Sequence, residues 1–166
     1  HDSARLTASD AGGDDSLGWS VSISGDTVVA GAPYANIGSI IFQGAAYVFV
    51  EPGTGWTGSL HETAKLTASD PMVIALSFGA GLGDSVAVSG DTVVVGAPLA
   101  NAVYVFVEPG TGWANATETA KLTASDSAHN DSFGDNVAIS GDTVAAGAPG
   151  SNAQAGAAYV FFRPVG

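Results

Sequence analysis

The decapeptide SGDTVVAGAP at residues 24–33 returns as SGDTVVVGAP at 89–98 and as SGDTVAAGAP at 140–149. Three copies of one phrase within 166 residues restrict the chain to folds that build a single supersecondary unit repeatedly and stack the copies. The physical reason is burial, since one such unit cannot cover its own apolar faces and needs the next copy to do so. The remainder of the chain falls into the same frame. RLTASD, KLTASD and KLTASD occupy 5–10, 65–70 and 121–126; SVSIS, SVAVS and NVAIS occupy 20–24, 85–89 and 136–140; AAYVFVEP, AVYVFVEP and AAYVFFRP occupy 45–52, 102–109 and 157–164.

Each phrase is short, rich in β-branched or aromatic residues and bounded by Gly, Pro or Asp, which is the pattern of a strand and not of a helix. Four strands per unit are therefore expected. Only Gly25-Asp26, Gly90-Asp91 and Gly141-Asp142 separate the second phrase from the strand that follows, TVVAGAP at 27–33, TVVVGAP at 92–98 and TVAAGAP at 143–149. That is the chemistry of a two-residue hairpin turn, so these strands are antiparallel neighbours. In AYVFV the Tyr and Phe point to one side of the sheet and the Val residues to the other, so both faces require cover. Four-stranded antiparallel sheets stacked face to face at a period near 50–60 residues describe the blades of a β-propeller better than a sandwich. The Gly and Ala of TVVVGAP would lie where adjacent backbones come close.

Composition narrows the function. Sixteen acidic residues stand against four basic ones, a net charge of −12. Such a surface repels a phosphate backbone and an anionic leaflet, so nucleic acid and membrane insertion are not expected, whereas cations or basic partners are. No apolar run reaches membrane-spanning length. Without cysteine there is neither a disulfide framework nor a thiolate metal site. The abundance of Thr, Ser, Asn and Gly leans towards an extracellular or cell-surface setting, and Asn115-Ala-Thr117 and Asn130-Asp-Ser132 fit the glycosylation acceptor pattern.

The stretch SFGDNVAISGDTVAAGAP at 132–149, with Phe133-Gly134 and Gly147-Ala148-Pro149, resembles the FG-GAP repeat, the blade unit of the integrin alpha-chain propeller. Leu17-Gly18 and Leu82-Gly83 stand in for the first element in the other two copies. The resemblance implies an all-β propeller of three four-stranded antiparallel blades, over about 11–70, 71–126 and 127–166, with an N-terminal strand at 4–9 that completes a blade. It also implies an extracellular role in adhesion. Blades of this family often carry a calcium loop between the first two strands; here that place is only the Gly-Asp turn, so calcium at the usual position is not inherited.

Three blades are too few for a ring, since propellers have four to eight. Closure is therefore expected through oligomerisation, either as a two-chain six-bladed ring with exchanged outer strands or as a head-to-tail array, or else the three blades are a piece of a longer repeat protein. Length variation locates the recognition loops. From the Pro of GAP to the Tyr of AYVF the spacing is 14, 6 and 10 residues, and from the Asp of TASD to the turn Gly it is 15, 20 and 15. In an up-and-down blade both links emerge on one face, and loops on a rigid scaffold carry recognition of a protein or glycan ligand.

On that face, Ile37, Ile40, Ile41 and Phe42 in one loop and Met72, Val73, Ile74, Leu76 and Phe78 in the next are expected to form an apolar partner patch, or else to fold inwards as a plug or extra strands. Asp10, Asp14, Asp15, Asp126, Asn130, Asp131 and Asp135 share the face and supply oxygens of the type Ca2+ requires, although their spacing matches no standard loop; solvated turn and capping carboxylates are the plainer reading. His129 near Asp126, Asp131 and Ser132 has the residue types of a hydrolase, but the other copies lack the His, and no catalytic residue is assigned. Trp56 and Trp113, repeated in PGTGW, are expected to cover the sides of their blades. The expected activity is non-catalytic binding or assembly. The alternatives are a structural subunit of a surface filament, or an accessory or catalytic propeller of a polysaccharide- or lipid-degrading enzyme.

Overall fold

The computed structural model describes residues 3–70, 80–126 and 131–162. Its strands are β1 Ala4–Thr7, β2 Val21–Ser24, β3 Thr27–Ala32, β4 Ala45–Val50, β5 Gly58–His61, β6 Ala64–Thr67, β7 Ser85–Ser89, β8 Thr92–Ala97, β9 Ala102–Val107, β10 Ala116–Thr117, β11 Ala120–Leu122, β12 Val137–Ser140, β13 Thr143–Ala148 and β14 Ala157–Phe162. Strands β2–β3–β4–β6 form the first antiparallel blade and β7–β8–β9–β11 the second; the third contains β12–β13–β14.

The Gly-Asp pairs make the expected hairpins. Ser24 faces Thr27, Ser89 faces Thr92 and Ser140 faces Thr143, with Gly25, Gly90 and Gly141 at φ of 58°, 57° and 54°. Only glycine enters that region without a steric penalty, so the turn residue dictates the strand pairing. Alternation then sets the core. Tyr104 and Phe106 point back into the layer between the first two blades, with Val29, Val48, Leu66, Val88 and Val93, while Val103 and Val105 point forward into the layer shared with the third blade. A third cluster gathers Tyr47, Phe49 and Ala45 of the first blade with Ala8, Leu6 and Trp56.

The small residues of the GAP phrase permit the stacking. A Cβ added at Gly31 would run into the Gly83 carbonyl and the Ser20 side chain, and one at Gly96 into the Gly134 carbonyl and the Ser85 side chain. Blade contact there is backbone against backbone, which any side chain would prevent.

Two elements are additional to the four-strand pattern. β5 pairs in parallel with β1, and β10 pairs in parallel with β6, so the segment after each Trp of PGTGW reaches over to the outer strand of the preceding blade. Within one chain, β1 is thus held beside the first blade by β5 and not by the third blade. The three blades form an open arc, because Val21 and Ile23 on the outward face of the first blade are 67% and 66% exposed, whereas their counterparts Val86 and Val88 are buried.

Candidate functional site

At each blade boundary, the Asp that ends the TASD phrase leaves its own strand and enters the next blade. The Tyr47 hydroxyl on β4 donates to Asp10 Oδ1 at 3.0 Å, and Lys65 Nζ on β6 donates to Asp10 Oδ2 at 2.6 Å while standing 5.3 Å from the centre of the Tyr47 ring. One blade on, Tyr104 donates to Asp70 at 2.9 Å, Lys121 pairs with Asp70, and Lys121 Nζ lies 5.2 Å from the Tyr104 ring centre. Burial works to raise the Asp10 and Asp70 carboxyls, but hydrogen bonds from the Lys and Tyr, together with the Lys charge, outweigh it and hold both below the ordinary value. Burial and the hydrogen bond to Asp70 push the Tyr104 phenol up to about 12, and burial followed by Asp10 raises Tyr47 as well. Ser9 and Ser69 complete the joint by donating both backbone N–H and hydroxyl to Glu62 and Glu118.

The seven oxygen-bearing residues considered for Ca2+ are therefore divided by the fold. Asp10 belongs to Tyr47 and Lys65, Asp15 accepts from the Gly12 N–H at 2.6 Å, and Asp126 accepts from the Tyr159 hydroxyl at 2.8 Å. Asp131 is buried and its carbonyl accepts from Gly150, Asp135 accepts from the Asn136 amide, and Asn130 lies outside the described residues. Among the described residues no three acidic or histidine side chains converge as a metal-holding group. The carboxylates of Asp10, Asp15, Asp126 and Asp135 thus carry amide, phenol or ammonium donors, while Asp14 stands at the cleft of Tyr34 and Phe42. His129 too lies outside the described residues.

The apolar loop residues divide likewise. Ile37 and Ile40 exchange backbone hydrogen bonds of 3.1 Å across a tight turn at Gly38, and Ile37 packs onto the first-blade core. Ile41 is exposed and Phe42 half-buried. Met72, Val73, Ile74, Leu76 and Phe78 lie outside the described residues. The loop containing Ile37 does meet the following inter-blade loop, through a parallel bridge between Gly44 and Leu82.

Sequence reasoning missed an aromatic row on this face. Trp19, 56% exposed, meets Tyr34 edge-on at 5.6 Å, and Tyr34 meets Phe42 edge-on at 5.3 Å. The three come from two loops, so no local spacing signals them; the one hint is that Trp19 replaces the Asp84 and Asp135 of the other repeats. Tyr34 and Phe42, with Gly13, Asp14 and Ser16, line an open cleft of about 440 Å³. Beneath the same loop lies Gln43, 1% exposed, whose amide has no hydrogen-bond partner among the described residues. An aromatic wall with a carboxylate and a hydroxyl beside it can stack on an apolar ring face and hydrogen-bond its polar edge.

The repeated tryptophans pack. Trp113 is buried between the first two blades, and Trp56 lies against the first-blade cluster. Asn115, in one acceptor tripeptide, accepts from the Lys65 N–H at 2.8 Å and so tethers two blades.

The profile of the FG-GAP repeat matches residues 1–49, 60–106 and 116–161, each match running from an outer strand through the three inner strands of the next blade. No curated protein matches the chain. Among solved structures it is similar to the computationally designed Ika4 protein at 12% identity and a TM-score of 0.39, over 96% of this chain and 97% of that one.

Proposed function

The chain belongs to the FG-GAP repeat family, and from that premise we propose that it is a non-catalytic binding and assembly module of the cell surface or extracellular medium. Its loop face would read a protein or glycan ligand, and its blade faces would join copies of the chain. The observation that carries the recognition half is the cleft of Gly13, Asp14, Ser16, Tyr34 and Phe42, with Trp19 beside it, in loops that vary while the blades repeat. Exposed aromatics held by edge contacts lose little freedom on binding and offer stacking surface. A glycan suits this surface better than an anionic ligand, because a chain of net charge −12 repels anions at long range. No helix among the described residues is long and apolar enough to cross a membrane.

The test is a panel of immobilised neutral glycans and surface proteins, followed by calorimetry on any positive. Tyr34→Ala and Asp14→Asn are expected to weaken binding at least about tenfold each while the melting curve is unchanged. Retention of full affinity in both variants sinks the cleft as the recognition site. Turnover of a bound polysaccharide or ester would replace the binding reading with an enzymatic one.

A further inference from the structure

Three interlocking contacts recur where blades meet, and each is left with unmatched parts in the first and last units of the arc. The first contact is the backbone approach. Gly31 and Gly96 lie against the carbonyls of Gly83 and Gly134, but around Gly147 an added Cβ would find nothing nearer than Asn136 at 3.8 Å. At the other end Gly18, which has the φ of its counterparts (90° against 99° and 94°), has open space where Gly83 and Gly134 touch the previous blade.

The second contact joins the innermost strands. Ser24 Oγ accepts from the Gly90 N–H at 3.2 Å, and Ser89 Oγ accepts from the Gly141 N–H at 3.1 Å. The next acceptor in the series, Ser140, is exposed at one end, and the preceding donor, Gly25, stands at the other.

The third contact is the Asp–Tyr–cation set. Asp126 and Tyr159 form two-thirds of it, 2.8 Å apart, on the third blade, where no described lysine or arginine joins them. The cation at the matching place in the repeat is Arg5 of RLTASD, exposed on β1 and, among the described residues, without a carboxylate. The stretch HDSARLTASD at 1–10 matches HETAKLTASD at 61–70 position by position, with Arg5 where Lys65 stands.

We propose that β1 of a second copy of this chain pairs with β14 as the fourth strand of the third blade, and that two copies close in this way into a six-bladed ring. The register follows from the other blades. Tyr47 faces Lys65 with Ala46 opposite Leu66, and Tyr104 faces Lys121 with Val103 opposite Leu122. Tyr159 therefore faces Arg5 of the second copy, with Ala158 opposite its Leu6, in an antiparallel ladder. Arg5 then reaches Asp126 and lies over the Tyr159 ring, a geometry that suits guanidinium as well as ammonium. The same docking sets the exposed face of β14, where Phe162 is 74% exposed, against Val21 and Ile23 of the second copy. It also brings Gly147 to Gly18 and Ser140 to Gly25. Blade faces are directional, so the contact is head-to-tail, and six blades is a number at which propellers close.

The inference deepens the assembly half of the proposed function and rests on it. The mass of the chain in solution, by sedimentation equilibrium and native mass spectrometry, is expected to be twice the 16.3 kDa of one chain. Arg5→Glu and Asp126→Lys, each folded by circular dichroism, are expected to raise the dissociation constant about 100-fold or more, because each reversal strikes both contacts of a two-copy ring. An equal mixture of the two restores the two-chain species, since one contact then carries the reversed pair and the other the original pair. Gly147→Leu, at a position with open space in a single chain, is expected to abolish association without unfolding it. The proposal is overturned by a wild type at single-chain mass at all concentrations, by a series of masses without limit, or by a mixture that stays at single-chain mass. It is equally overturned by folded Arg5→Glu or Gly147→Leu that associates like the wild type. Two-chain mass with no ligand bound would sink only the loop-face reading, and single-chain mass with ligand bound would sink only the ring.

Discussion

Gly96 and Gly147 occupy the same position in two copies of the same phrase, yet replacing each by Ala should have opposite consequences for the fold of one chain. At Gly96 the new methyl would stand well inside 3.0 Å of the Gly134 carbonyl oxygen, a separation that real Cβ atoms essentially never show, with Ser85 Oγ pressing from another side. The carbonyl belongs to backbone locked by the Gly134 N–H bond to the Gly147 carbonyl at 2.9 Å, so relief requires the second and third blades to part. Overpacking costs about 1–3 kcal/mol where side chains can yield, and with backbone as the obstacle the upper end, about 3 kcal/mol, is expected. For a domain of this size that is a fall in Tm of about 6–12 °C. At Gly147 the nearest atom is 3.8 Å away and φ is not positive, so the methyl fits and the stiffer unfolded chain contributes about 0.4–1 kcal/mol of stability. Both variants are to be melted in the Arg5→Glu background, where docking of a second copy no longer contributes, by calorimetry and circular dichroism. Equal shifts for the two, or a Gly96→Ala variant melting within about 1 °C of its parent, would refute the claim that blade stacking here is backbone against backbone.

Three other outcomes are expected. The lowered Asp10 and Asp70 carboxyls contribute stability that is fully present above the unfolded value near 3.9 and is lost as pH falls through their lower folded values. Urea titrations at pH 7, 4 and 3 should accordingly show a shallower acid loss in an Asp10→Asn, Asp70→Asn double variant than in the wild type. Gln43→Met removes a buried amide with no partner among the described residues, so chemical denaturation should show a gain of about 1 kcal/mol, and a loss would mean that the amide is satisfied. Ala153 sits at φ 55° in a left-handed turn with Asn152 and Gln154; Ala153→Gly should leave stability unchanged or raise it by up to about 1 kcal/mol in the same assay, the reverse of the usual effect of introducing glycine.

Much of the arrangement around these positions is legible in the residue order, but the site is less so. Ser16, Gly81 and Ser132 share a left-handed backbone at equivalent places in the three repeats, which marks them as part of the blade and not as strained functional residues. The row of Trp19, Tyr34 and Phe42 has no such repetition, and it forms only because the loop after β3 folds back over the segment leading to β2. The loop of Ile37, Ile40, Ile41 and Phe42 admitted two readings, a patch or an inward fold with extra strands, because composition does not encode the backbone bonds through which Ile37 and Ile40 close on each other.

By itself the sequence determined the number of units, the strands within them, the Gly-Asp hairpins and which face of each strand is apolar, because all of these depend on spacings of a few residues. The tertiary structure alone decided that β5 and β10 run parallel to the outer strand of the preceding blade, and that Asp10 and Asp70 hold the next blade's Tyr and Lys. It alone decided that Arg5, Gly18 and Gly147 are left with half a contact each. Those outcomes join residues some 50 apart in the chain, and short-range periodicity carries no information about which polar groups meet once the sheets have stacked.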